Sequence, residues 1–292
     1  MSTMTLGPTV GLETHAPSPP RYRLLDVATV IDVADEHIFA GIEVWPWIDA
    51  RSGGAHNPCA TGTNREKNGM QERPDELPEF ASFTIYETLE CTARSIGVEF
   101  DYWASLTVQA LRAVESKLIE EEFAKGTRVP TNPHLALVPT TSDVAIQVLN
   151  GGAAMGVVPA LALLEQSAAV TGAAHLVHID PATSVKAASQ QLVYDQNGNC
   201  YLYGTGSRVV VGTGYVGAEP DGEALADATH SWVWATGPVE IRRGPIRVNP
   251  PTVGEAMNTV DNNNDITLRA ERDVVVSWDT GLQLAVLVDR AA

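Results

Sequence analysis

Lysine is nearly missing from this chain, with four residues against fifteen arginines among 292. Even together these cations are outnumbered by 36 carboxylates, which leaves a formal charge of −17. A protein that grips nucleic acid exchanges condensed counterions for cationic side chains. The charge balance therefore excludes tight or sequence-specific DNA binding, although it suits a protein that lies beside nucleic acid without adhering to it. Cysteine is also sparse. Cys59, Cys91 and Cys200 are far apart and odd in number, and no CxxC or Cys/His pair has zinc spacing. Reduced thiols are expected, and whether Cys59 and Cys91 could bridge depends on a pairing of their segments that spacing does not decide. No run approaches the ~20 apolar residues of a membrane helix. Residues 1–20 lack the basic and apolar regions of a secretory signal and read as an extended arm.

Catalytic signatures are missing too. No GxSxG elbow occurs. Gly212-Thr213-Gly214-Tyr215-Val216-Gly217 does match GxGxxG behind an apolar strand, as a nucleotide-binding α/β enzyme would require. That chemistry needs a helix to begin inside the motif. Instead Ala218-Glu219-Pro220-Asp221-Gly222 follows, which makes a turn and places two acids where a phosphate would sit. The glycines are read as serving turns and close backbone approach. His175 and His178 lie on one strand with two residues between them, so they face opposite sides and do not share a metal. Asp35–Glu36 and Glu120 to Glu122 read as solvated or subunit-contact charges, and Arg242, Arg243 and Arg247 as partners for carboxylates at an interface. No catalytic, cofactor-binding or metal-binding residue is assigned, and the chain is read as not an enzyme.

What is present is an ordinary globular composition, 44% hydrophobic and 19% charged. Residues 42–47 are strand-like. Residues 83–92 alternate Phe83 and Ile85 inward against Thr84 and Tyr86 outward. Between these strands, residues 49–79 carry Gly53, Gly54, Asn57, Pro58, Gly62, Asn64, Gly69, Pro74 and Pro78, which forbids a long regular element. A structureless stretch about twice the usual ~15-residue limit predicts a two-stranded finger that projects from the body. A long helix is predicted from an Asp101 N-cap to a Gly126 C-cap, with an acidic last turn at odds with the helix dipole. Pro159 opens a second helix that Gly172 closes. A buried strand at 175–179 leads to Asp180–Pro181, a cap with proline at the first helical position. Short strands are expected at 201–203, 208–211, 231–235, 239–241 and 246–248. Others are expected at 266–270, 273–278 and 282–288, the last two joined as a hairpin across Asp279–Thr280–Gly281.

This order of elements resembles the major capsid proteins of tailed bacteriophages. Their fold is named after phage Hong Kong ninety-seven and is shared by encapsulins. The finer resemblance is to capsid proteins of phages that infect actinobacteria. It is carried by Phe83-Thr84-Ile85-Tyr86 with Cys91, Asn150-Gly151-Gly152, the helix from Pro159 to Gly172 and His178-Ile179-Asp180-Pro181. It continues through the run from Val209 to Gly217, Ala235-Thr236-Gly237-Pro238-Val239 with Arg242-Arg243, and Arg269-Ala270-Glu271-Arg272 leading into Ser277-Trp278-Asp279-Thr280.

The resemblance implies an α+β fold. Residues 1–36 would be the N-terminal arm and 37–97 an extended loop lying over a neighbour. Residues 98–149 and 250–292 would form a peripheral domain with a long spine helix, and 150–249 an axial domain. It implies a subunit that forms hexamers and pentamers of an icosahedral shell around double-stranded DNA, without sequence-specific contact. The chain would reside in the virion after assembly in the host cytoplasm, with no membrane involved. Implied partners are further copies of the chain, a portal, decoration proteins, and a separate scaffolding protein or none. Lys67 is the only lysine in the extended loop and no motif commits a partner asparagine or acid, so covalent cross-linking is not expected. The alternatives are an encapsulin-type compartment or a soluble α/β nucleotide-binding enzyme.

Overall fold

Residues 83–92 alternate as their pattern predicts. In the computed structural model they form a strand, Phe83–Thr92, with Phe83 and Ile85 buried and Tyr86 exposed. The structure describes residues 20–34, 40–44, 77–136, 146–220, 229–252, 255–256 and 265–292. Ahead of that strand come helix α1 (Leu24–Val27) and strands β1 (Thr29–Asp32), β2 (Ile42–Glu43) and β3 (Glu79–Phe80), which makes Phe83–Thr92 β4. β4 passes directly into helix α2, Ala93–Lys125, whose 33 residues span about 50 Å.

The helix thus begins well before the expected cap at Asp101. Phe100 and Trp103 pack against Ala256, Ile266 and Leu268, so tertiary burial holds the first turns where a local cap was expected to. The other end follows the sequence. Gly126 has φ +58° and donates its N–H to the Glu122 carbonyl at 2.8 Å, a left-handed cap.

The remainder contains β5 (Gln147–Val148), β6 (Met155–Gly156), α3 (Val157–Ala169), β7 (Leu176–Ile179) and α4 (Pro181–Ser189). Then follow β8 (Val193–Gln196), β9 (Asn199–Leu202), β10 (Arg208–Val211), β11 (His230–Thr236) and β12 (Val239–Arg243). Last come β13 (Arg247–Asn249), β14 (Asp265–Trp278) and β15 (Gln283–Asp289). At α4 the cap is as read: Asp180 Oδ1 accepts from Ala182 N at 2.8 Å and Thr183 N at 3.1 Å, with Pro181 at the first position.

Two sheets organise these elements. The first runs β1-β12-β14-β13, with β4 also paired to β14. The second runs β5-β15-β11-β7-β10-β9-β8, with β6 also on β15. Strand alternation sorts the second sheet's side chains into two cores. Val210, Trp234 and Ala285 join Leu111, Ile119 and Phe123 of α2 and Phe83, Val274 and Val276 of the first sheet. Val177, Val209, Val233 and Val286 point the other way, against Val157, Leu161 and Leu164 of α3 and Ala187 of α4.

Two strand expectations are corrected here. Residues 265–278 form one strand rather than two, paired along β4 from Asp265↔Thr92 to Val274↔Phe83. β14 and β15 do not form a hairpin, because β15 crosses to the second sheet and pairs with β11. Every residue from Gln283 to Val286 is buried, and a strand buried on both faces belongs inside a sheet. Within the expected arm of residues 1–36, residues 21–32 pack on their own chain: Leu24 is fully buried and β1 pairs in parallel with β12. Hydrogen bonding places β12 and β13 in the first sheet and β15 in the second.

Candidate functional site

The two sheets meet at a crossing of chain segments. β11 leaves the second sheet for β12 through Gly237 and Pro238, and β14 leaves the first for β15 through Asp279. Gly237 N–H donates to the Leu282 carbonyl at 3.2 Å, and Asp279 N–H to the Pro238 carbonyl at 3.3 Å. A Cβ on Gly237 would lie 2.7 Å from the Asp279 Cβ, so only glycine admits this approach. An aromatic column bridges the same seam. Phe80 and Phe123 each stand edge-on to Trp278 at 4.8 Å, and Phe123 lies 5.1 Å from His178.

Next to the column, α2 carries Glu115 and the run Glu120 to Glu122, the latter expected as solvated or subunit-contact charges. Glu120 is fully buried and Glu115 and Glu122 nearly so. Glu120 accepts from Arg23 Nη1 at 3.0 Å, Leu24 N at 3.2 Å, Ser116 Oγ at 3.3 Å and Gly214 N at 3.4 Å. Burial pushes its carboxyl above the ordinary value, and Arg23 opposes the rise. Glu115 accepts from Arg272 at 2.7 Å and Arg243 at 3.4 Å. Glu122 accepts from Arg128 N at 2.7 Å and Val129 N at 2.8 Å, fastening the turn after the helix. The correction is physical: Glu115 and Glu120 point inward because arginines from distant segments reach them, and Glu122 because the turn after the helix donates its backbone N–H groups to it. Only Glu121, paired with Lys117 and Arg128 at 3.7 Å each, behaves as a half-exposed charge.

The glycine-rich run packs onto this row. Thr213–Tyr215 forms a single 3-10 turn after β10, and no α-helix opens at the motif. A Cβ on Gly212 would stand 2.6 Å from Glu120 Oε2, and one on Gly214 2.5 Å from the Glu120 carbonyl carbon. A buried carboxylate therefore fills the place a phosphate would need. Close approach is what these glycines serve, as read.

The histidines sit in separate surroundings. His178 is fully buried, with Nδ1 2.9 Å from the Tyr215 hydroxyl and Nε2 2.8 Å from Thr236 Oγ1. Thr236 donates to the Gly237 carbonyl at 3.0 Å, so it accepts from His178, which fixes the proton on Nε2. Burial lowers the His178 pKa to about 3 and raises that of Tyr215. His175 Nε2 lies 2.9 Å from Glu165 Oε1 and 3.2 Å from Ser207 Oγ, and Ser207 donates to Glu165 Oε2 at 2.8 Å. Both contacts use the same ring nitrogen, so this is not the relay of a nucleophilic triad, in which the base spends one nitrogen on each partner. The hydrogen bond to Glu165 raises the His175 pKa against its burial. Burial alone would raise Glu165, but hydrogen bonds from His175 and Ser207 leave it lowered.

The arginines meet carboxylates of their own chain. Arg242 pairs with Glu240, Arg243 with Asp32 at 2.9 Å, and Arg247 with Asp273. The carboxylate pairing was legible, and the partners observed belong to the subunit itself. Cys200 is a buried free thiol whose pKa burial raises to about 11. Cys59, Lys67, Asp35, Glu36 and the Cys91 side chain lie outside the described residues.

At the root of the predicted finger, β2 and β3 pair antiparallel with Ile42 opposite Phe80. Phe80 is fully buried, and Asn132 clamps the exit by exchanging two 2.8 Å hydrogen bonds with the Ala81 backbone. β2 is thus paired by β3, and β4, expected to return from the finger, is taken up by β14. Residues 45–76, over which the finger is expected, lie outside the described residues.

A groove of about 1080 Å³ opens at the seam between α3, the β9–β10 turn and the start of β12. Its walls include Val158, Leu161, Leu202, Tyr203 and Val239, and the Glu165–His175–Ser207 cluster forms its polar end. Among the described residues, no group of His, Cys, Asp and Glu could hold a metal ion, and no helix is long and apolar enough to cross a membrane.

No protein-family model matches the sequence, and no curated protein matches it. Solved structures do. The capsid of a native GTA particle, computed with C5 symmetry, aligns over 97% of this chain and 95% of its own at 13% identity, TM-score 0.54. A chain of Microbacterium phage Oxtober96 aligns over 97% and 96% at 13% identity, TM-score 0.54. The holo-SrpI encapsulin complex of Synechococcus elongatus aligns over 96% and 92% at 9% identity, TM-score 0.52. The chain has the α+β fold of tailed-phage major capsid proteins over essentially its whole length.

Proposed function

We propose that this chain is the major capsid subunit of a tailed bacteriophage, assembling into hexamers and pentamers of an icosahedral shell around double-stranded DNA. The observation that carries this reading is the alignment over 97% of the chain with a capsid subunit arranged about a fivefold axis. The protein's work is geometric rather than catalytic. α2 with the first sheet forms the peripheral domain, the second sheet with α3 and α4 the axial domain, and the segment between β2 and β3, within the expected 37–97, the loop that reaches a neighbour. Its root at Phe80 and Asn132 is fixed in the body, as a lever bearing on another subunit requires. The surplus of carboxylates keeps packaged DNA free to move, because few cations are left to replace its counterions. Scaffolding, portal and decoration proteins are the partners such a shell takes.

Deletion of residues 51–78 tests the reading. The variant should remain a folded subunit but sediment without closed particles. Full-size shells seen by negative-stain microscopy from that deletion would remove the role of the loop. A full-length chain that stays single at high concentration would remove the capsid reading itself.

The encapsulin alignment supports a second reading, a protein compartment built on the same fold. Particles purified from the native source decide between them: nuclease-protected DNA marks a capsid, and an enclosed protein without DNA marks a compartment.

A further inference from the structure

We propose that Asn197–Gly198, at the tip of the β8–β9 hairpin, is a self-modification site. In the folded protein its side-chain amide is converted to an aspartate or isoaspartate, while the same dipeptide at Asn150–Gly151 is held back by its turn. The inference goes beyond the capsid reading and is independent of it, because it concerns the covalent chemistry of the single chain.

The chemistry follows from the dipeptide. The Gly198 backbone nitrogen attacks Cγ of Asn197. The new N–Cγ bond closes a five-membered succinimide and the Cγ–Nδ2 bond breaks. The departing ammonia carries off the proton that the glycine nitrogen gives up. Water then opens the ring at either carbonyl and leaves an aspartate or an isoaspartate. No oxidant or cofactor takes part. Glycine in the following position favours the attack, because no Cβ crowds its nitrogen. The chain has three such pairs, Asn68–Gly69, Asn150–Gly151 and Asn197–Gly198. The first lies outside the described residues.

The structure separates the other two. Both asparagines are exposed and left-handed, with φ of 56° at Asn197 and 54° at Asn150. Asparagine visits that region more readily than most residues. Ring closure requires the backbone to leave it, so the rate follows how easily each turn opens. Asn150 is tied twice to Ala153: its Nδ2 donates to the Ala153 carbonyl at 2.9 Å, and its own carbonyl accepts from Ala153 N at 3.1 Å. Its turn lies between β5 and β6, both paired with β15. Among the described residues the Asn197 side chain has no such tether. Its turn is a two-residue loop closed by the pair Gln196↔Asn199, with Gly198 at φ +80°. β8 ends the order of its sheet, and an edge hairpin opens before the interior strands do.

The product changes the hairpin. Isoaspartate adds a methylene to the main chain, which a two-residue loop does not absorb while keeping its register. Either product adds a negative charge two residues from Asp195, which accepts from the Tyr22 hydroxyl at 2.6 Å. The modification therefore bears on the contact between this hairpin and the segment ahead of α1.

Peptide mapping tests the site. The purified full chain is aged in mildly alkaline buffer and digested with trypsin, which releases Asn197 within residues 187–208 and Asn150 within residues 129–186. Fragment mass spectra locate the converted residue and distinguish it from Asn199. In the folded protein Asn197 should convert at least about tenfold faster than Asn150. In urea the turns are gone, and the two rates should agree within about twofold. Equal rates in the folded protein, a faster Asn150, or an Asn197 that stays intact while the unfolded chain converts would overturn the assignment. A gap that persists in urea overturns it as well, because the difference then belongs to local sequence rather than to the fold. None of these outcomes bears on whether particles form, so the capsid reading stands or falls separately.

Discussion

Glu120 is a buried anion whose main partner, Arg23, arrives from a segment far away in sequence. Replacing it with alanine leaves that guanidinium buried and unpaired, which costs about 3–5 kcal/mol. Glu120→Ala should therefore lower the subunit's unfolding free energy by that amount in urea denaturation. His178 gives a prediction in pH. Its imidazole titrates near 6.5 in the unfolded chain and near 3 in the folded one. Below about 6.5 the unfolded state takes up a proton that the folded state refuses, so stability falls as pH drops toward 3. The loss is on the order of several kcal/mol across that window. His175 works in the opposite sense. Its raised pKa stabilises the fold at acidic pH, an effect lost as pH rises through the folded value. Urea midpoints measured between pH 4 and 8 should fall toward acid in the wild type and less steeply in His178→Asn. Equal slopes would show that the buried imidazole is not responsible.

At the scale of elements, the glycine-rich turn against α2 is the tightest join between the long helix and the second sheet. Gly214→Ala places a methyl on the helix backbone, which overpacking puts at about 3 kcal/mol. Gly217→Ala differs, because its φ of +68° is strained while the nearest atom, Lys125 Nζ, stands 4.0 Å away. That change should cost about 1 kcal/mol. Melting temperatures of the two variants should separate accordingly, and a milder Gly214→Ala would mean that the helix can move aside. Several elements were readable from local signals. The alternation at 83–92, the Asp180–Pro181 cap and the Gly126 stop are one-dimensional patterns with short-range causes. The start of α2 was not, because Phe100 and Trp103 are held by residues far along the chain.

At the scale of the whole molecule, both sheets share α2, and chain crosses between them at Gly237 and Asp279. The sheets share a core, since Phe123 and Trp278 belong to the cluster that joins them, beside the second sheet's own core with α3 and α4. The subunit should therefore unfold in one cooperative transition, with tryptophan fluorescence and far-ultraviolet circular dichroism coinciding. Two separated transitions would show that the peripheral and axial units are independently stable. The loop deletion belongs to this scale as well, because it should abolish shells while leaving that single transition in place.

By itself the sequence determined the character of the elements, the poverty of cations and the absence of a helix at the glycine motif. These follow from neighbours within a few residues of one another, where hydrogen bonding and side-chain periodicity act directly. It also carried enough of the order of elements to place the fold. Only the tertiary structure decided that Glu115, Glu120 and Glu122 face inward, that β15 crosses to the second sheet, and that residues 21–32 dock on their own body. Apart from Glu122, which the turn after its own helix holds, each of those depends on a partner more than ninety residues distant or on burial from two sides. A carboxylate on a helix has no local property that says whether an arginine will meet it.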